Sequence, residues 1–109
     1  MQLSKYKIMW MMVLFDLPVT QEGEAKKASI FRKTLLDLGF EMNQFSVYCR
    51  FFADRQKAES YIKKIKEKVP PNGNVSILFF TDKQFGDIIN IHNREVKKQE
   101  NKPEQLSLF

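Results

Sequence analysis

Few residues in this chain can do chemistry, and they do not cluster. No second carboxylate or histidine lies near Asp16, and Glu41, Asp54, Asp82 and Asp87 are scattered. Hydrolysis of a phosphodiester needs an activated water and a stabilised leaving oxygen, often through two metal ions. One carboxylate does not supply that. Asp16 is followed by Leu17-Pro18, and by residue type alone it is a turn starter. His92 is the only histidine and Cys49 the only cysteine. A histidine without a cysteine or acidic partner is rarely a metal site. A single cysteine makes no intrachain disulfide, which suits a reducing cytoplasm and predicts a cytoplasmic protein.

Cations are more plentiful. Lys and Arg number 18 against 13 Asp and Glu, for a net charge of +5. That favours a polyanionic partner, most simply nucleic acid. Lys26, Lys33, Lys57, Lys63, Lys64 and Lys68 fall on the outward faces of two expected helices, and Glu59 with Lys63 makes an i,i+4 pair.

The apolar pattern marks out the elements that must position these groups. Residues 8–15, IMWMMVLF, form a continuous apolar run. It is too short to span a membrane or to serve as a signal-peptide core. It reads as a strand stopped before Pro18, which has no N–H for a sheet ladder. Trp10 inside it belongs to the core. A helix follows to Leu38, with Ala28, Phe31, Leu35 and Leu38 on one stripe and Gly39 just past its end.

Residues 40–52 read as a hairpin with a polar waist at Asn43-Gln44. In its second arm, Phe45, Val47, Cys49 and Phe51 alternate with Ser46, Tyr48, Arg50 and Phe52. The first set is expected on the core face and the second on the opposite face. Asp54 caps a second helix reaching Lys68, with Ala58, Ile62, Ile65 and Val69 inward. Residues 75–80 are another strand, 81–86 a loop and 88–91 a short last strand. The polar stretch beginning at Asn93 shows no helix or strand spacing. The predicted division is a domain over residues 1–92 and a flexible tail over 93–109.

The order β-α-β-β-α-β predicts an α+β chain of ferredoxin-like plan, two helices on one face of a four-stranded antiparallel sheet. Ten Phe, five Met and 43% hydrophobic residues can fill its core. An antiparallel sheet with one wet face should alternate apolar and polar residues, yet residues 8–15 do not. The second face is therefore expected to be dry as well, covered by a second copy in a sheet-to-sheet homodimer. On that reading Met11 and Phe79 face the partner, and the short last strand pairs at the sheet edge, there or on the partner.

The segments MMVLFDLPV (11–19), FRKTLLDLGF (31–40) and NQFSVYCR (43–50) resemble, in order and spacing, those of the CRISPR-associated protein two family, in its type II-like version. The resemblance covers roughly residues 8–92. It implies a homodimer that bridges the CRISPR-associated integrase, holds a short double-stranded DNA and serves spacer acquisition. It further implies a Mg²⁺-dependent endonuclease activity, weak or absent in some members, on RNA or DNA. The family's metal-binding aspartate ends the first strand, which puts the metal ligand and catalytic residue at Asp16, with Mg²⁺ shared between protomers. Lys26, Arg32, Lys33, Arg50, Lys63 and Lys64 then become a phosphate track that reads no base sequence.

Two other functions share the strand order. A stand-alone ribonuclease of toxin type is compatible with these residues. An RNA-recognition module would carry a Lys/Arg-Gly-aromatic-Gly/Ala-aromatic pattern on its third strand, and SVYCRFF lacks those glycines.

The end of the chain needs its own account. Gln105, Leu106, Ser107, Leu108 and Phe109 resemble at all five positions the pentapeptide by which bacterial polymerases and repair proteins dock on the replication sliding clamp. Docking on the integrase as an added strand and folding back on the dimer are the competing readings.

Overall fold

The structure, a computed structural model, describes residues 9–99. Its elements are β1 (Met9–Asp16), α1 (Glu24–Asp37), β2 (Glu41–Gln44), β3 (Val47–Phe52), α2 (Arg55–Lys68), β4 (Asn74–Thr81), α3 (Asp82–Gly86), β5 (Ile89–His92) and β6 (Glu95–Lys98). The main sheet has the order β2-β3-β1-β4, and every pairing in it is antiparallel. The expected ferredoxin-like α+β plan is what the chain adopts.

Local chemistry sets the helix ends. Gly39 follows α1 with φ of 88°, a conformation open to glycine at little cost. The Gly39 and Phe40 N–H groups return to the carbonyls of Leu36 and Leu35, closing the last turn. Asp54 caps α2 by accepting from the N–H groups of Gln56 and Lys57.

Register assigns the faces, because cross-strand partners in an antiparallel ladder point the same way. Met9, Met11, Val13 and Phe15 of β1 face α1 and α2, where they pack with Phe31, Leu35, Ala58 and Ile65. Their partners Phe52, Tyr48, Ile77 and Phe79 lie on the same side. Trp10, Met12 and Leu14 point the other way, beside Phe51, Cys49 and Val47 of β3 and Phe80, Leu78 and Ser76 of β4.

This parity corrects the sequence reading of β3. Tyr48 and Phe52 are the core residues under the helices, and Cys49 and Phe51 lie on the far face. Alternation identifies two sets of residues but carries no label for the helix side. Here both sets are apolar. By the same register Met11 and Phe79 belong to the helix-covered core, not to a partner-facing surface.

The far face has a cover of its own at one end. Residues 81–86, expected as a loop, contain α3, opened by a reciprocal capping box between Thr81 and Gln84. Phe85 of α3 is buried against Trp10 and Cys49, with Ile88 packed alongside. The last strand also departs from expectation. β5 pairs with β6 in a separate hairpin and not with the edge of the main sheet. The polar stretch after His92 thus supplies a strand. Its turn residues Asn93 and Arg94 both have positive φ, the twist that suits a tight hairpin. All four β6 residues are exposed, so no apolar alternation announces the strand.

Candidate metal and nucleic-acid site

Asp16 is the last residue of the central strand β1, exposed, on the face away from α1 and α2 and in register with Asn74 at the start of β4. The chain reaches this end of the sheet again at the β2–β3 turn, where the Phe15 N–H donates to the Ser46 carbonyl at 3.1 Å. Beside Asp16 on the same face, Met12 and Leu14 are half-buried and Leu78 is 40% exposed. The far face is thus closed by Phe85 at the Trp10 end and apolar but open at the Asp16 end.

Among the described residues no group of three or more His, Cys, Asp or Glu side chains could hold a metal ion. A hard divalent cation takes six or more oxygen ligands. One exposed carboxylate therefore makes a site only if oxygens from elsewhere complete it: waters, a phosphate or a second copy of Asp16. His92 lies on the exposed β5 and adds no ligand to Asp16's end of the chain.

The predicted phosphate residues separate into three groups. Lys26 and Lys33 on α1 and Lys63 and Lys64 on α2 are exposed, as a non-specific track requires. Lys33 also meets Asp37 at 3.3 Å, and Lys64 Nζ lies 4.8 Å from the Tyr61 ring centre. Arg32 is half-buried and its guanidinium sits 5.4 Å from the centre of the Phe45 ring. Arg50 is engaged in packing: its guanidinium lies over Phe52 at 4.3 Å and Tyr61 at 4.6 Å, and Nη1 donates to the Phe51 carbonyl. The pair expected between Glu59 and Lys63 is replaced one turn earlier by Arg55 and Glu59 at 3.2 Å.

The sequence reading missed Asp82 and Phe85, which close the far face, although Thr81-x-x-Gln84 carried the helix-start signal. It also left Phe45 as one more core residue, whereas Phe45 is 77% exposed at the tip of the β2–β3 turn. An open groove of about 810 Å³ lies elsewhere, between the β2 edge and the β5–β6 hairpin; Glu41, Asn43, Asn90, His92 and Lys97 line it and Asp16 does not. Cys49 is buried, and burial pushes its thiol up to about 12, so it is no nucleophile at neutral pH. Among the described residues no helix is long and apolar enough to cross a membrane. The motif at Gln105, Leu106, Ser107, Leu108 and Phe109 lies outside the described residues.

The chain thus joins a ferredoxin-like sheet, an acidic residue at the end of its central strand, basic helices on one face and a partly open apolar face on the other. The family described as CRISPR associated protein Cas2 matches residues 9–88, and the chain belongs to that family. Its relatives include proteins named CRISPR-associated endoribonuclease Cas2. The one from Paracidovorax avenae is 42% identical over 107 residues, 98% of this chain and 99% of that protein. That from Flavobacterium psychrophilum is 42% identical over 108 residues, 99% and 94% of the two chains. That from Parvibaculum lavamentivorans is 40% identical over 101 residues, 93% and 100%.

Proposed function

We propose that two copies of this chain pack through the open part of the sheet, and that the dimer is a DNA-binding bridge in CRISPR spacer acquisition. The observation that carries the reading is the apolar patch of Met12, Leu14, Val47 and Leu78 beside Asp16, on the face that α1 and α2 leave free. Because Phe85 covers the Trp10 end, a twofold contact is confined to the Asp16 end. The two Asp16 side chains then approach each other. Like charges at close range need a proton or a cation between them, and Mg²⁺, which takes oxygen ligands and keeps several waters, meets that need. When bound, such an ion would activate a water and neutralise charge on a phosphate oxygen.

The chain's own residues do the rest. β1 holds each carboxylate at a strand end. Lys26, Lys33, Lys63 and Lys64 neutralise backbone phosphates without reading bases. The integrase is the partner that the bridge would join to the DNA. A hydrolytic reading stands beside this one, because the relatives are named endoribonucleases. On that reading the same Asp16 pair serves Mg²⁺-dependent cleavage.

Sedimentation tests the dimer. Wild type should be dimeric at micromolar concentration, and Met12→Glu or Leu78→Lys should be folded monomers, since a buried unpaired charge costs several kcal/mol. A monodisperse wild-type monomer overturns the reading. For hydrolysis, Asp16→Ala should keep the dimer and its DNA affinity while losing Mg²⁺-dependent cleavage of RNA or DNA. Unchanged cleavage by the purified variant removes Asp16 from that role.

A further inference from the structure

Phe45 and Ser46 form the two-residue turn between Gln44 and Val47, which pair across β2 and β3. Ser46 has φ of 64°, and its carbonyl is tied to the N–H of Phe15, the residue before Asp16. The turn is thus anchored on the central strand, and it presents a large aromatic ring to solvent. A solitary exposed aromatic is unremarkable in itself. What distinguishes this one is its neighbour. The Arg32 guanidinium lies 5.4 Å from the ring centre, and no carboxylate of the described residues pairs with Arg32. An open aromatic surface and a guanidinium with no carboxylate partner among the described residues therefore meet at the β2–β3 turn.

That combination selects a ligand that is flat and apolar on one part and anionic on the next. A purely apolar partner would use the ring and leave the guanidinium to be desolvated without compensation. A bare phosphate would use the guanidinium and leave the ring in water. A nucleotide satisfies both, its base stacking on the ring and its phosphate meeting the cation. Bases inside a duplex have both faces occupied by their neighbours, so the site discriminates in favour of a base that is unpaired and unstacked.

We infer that Phe45 and Arg32 form a stacking site for an unpaired nucleobase at the Asp16 end of the sheet. The site rests on the nucleic-acid reading above. It adds to the sequence-blind phosphate track a preference for single-stranded character.

The test uses the full chain and two fluorescent probes, a short oligodeoxyadenylate single strand and a blunt duplex of the same length. Binding is followed by anisotropy for wild type, Phe45→Ala and Phe45→Trp, with sedimentation of each. Phe45→Ala should weaken the single strand about tenfold, the usual scale for one lost base stack, and change the duplex by less than about twofold. Phe45→Trp should retain single-strand affinity. A 2-aminopurine placed in the single strand should be quenched by wild type and not by Phe45→Ala. Unchanged single-strand affinity in Phe45→Ala, or equal loss on both probes, overturns the stacking site while leaving duplex binding intact as a separate result. Failure of wild type to bind either probe overturns the nucleic-acid reading and the site together. Dissociation of Phe45→Ala into monomers that keep single-strand affinity assigns Phe45 to the contact between copies and overturns the site alone.

Discussion

The Trp10 indole lies flat on the Phe85 ring, with centroids 4.0 Å apart and planes 9° from parallel, and its Nε1–H donates to Asp82 at 2.9 Å. One strand residue thus holds both ends of α3, a helix of five residues. Helices this short have no stability of their own; the capping box starts this one and Trp10 keeps it on the sheet. Closure at this end leaves the Asp16 end as the free part of the far face.

Truncating Phe85 should therefore be costly. Phe85→Ala is expected to destabilise the fold by about 3–5 kcal/mol, the usual range for a buried aromatic. Asp82→Ala, which removes one hydrogen bond, should cost about 1 kcal/mol. Urea unfolding measures both. Trp10 is the only tryptophan, so a red-shifted emission in native Phe85→Ala would report directly that the cover has opened.

Arg50 and Lys63 should behave as opposites. Arg50 rests on Phe52 and Tyr61 and donates to a backbone carbonyl. Arg50→Ala should cost about 1–2 kcal/mol of stability and leave the salt dependence of DNA binding nearly unchanged. Lys63→Ala should leave stability within about 0.5 kcal/mol and lower the slope of log affinity against log salt by about one. Parallel denaturation and salt titrations separate the two roles.

Alkaline stability should carry the signature of Cys49. Its thiol is raised from 9.0 to about 12 by burial. Between those values the unfolded chain loses this proton while the folded chain keeps it, so stability falls as pH rises through the interval. Below pH 9 the thiol is neutral in both states and contributes no pH dependence. Cys49→Ala should flatten the profile above pH 9. Wild-type Cys49 should react with a thiol reagent at pH 8 only as fast as the protein opens.

The terminal motif makes a prediction independent of the fold. A peptide of residues 102–109 should retain the bacterial sliding clamp with micromolar affinity, about −8 kcal/mol. Leu108 and Phe109 would fill an apolar pocket at roughly 1.5–3 kcal/mol each before ordering costs. The doubly substituted Leu108→Ala, Phe109→Ala peptide should not bind. Equal retention of the two peptides, or none by either, redirects the tail to the integrase.

The sequence by itself determined the order of the elements from β1 to β4, the end of α1 and the start of α2, and the presence of apolar side chains on both faces of β1. Those properties are local: Gly39 tolerates the positive φ that ends α1, Asp54 offers an oxygen to the first free N–H groups of α2, and the unbroken apolar run of β1 puts apolar side chains on both faces of the strand. The same run also hid which side was which. With apolar residues at both parities of β3, only contact with α1 and α2 decides that Tyr48 and Phe52 face the helices and Cys49 does not. Tertiary structure likewise decided that α3 covers part of the far face, that β5 pairs with β6 and that Arg50 packs on aromatic rings. It also brought Arg32 to Phe45, thirteen residues apart and on different elements. Each of these depends on surfaces brought together by sheet pairing, whose register arises between strands distant in the chain and is not written within either strand alone.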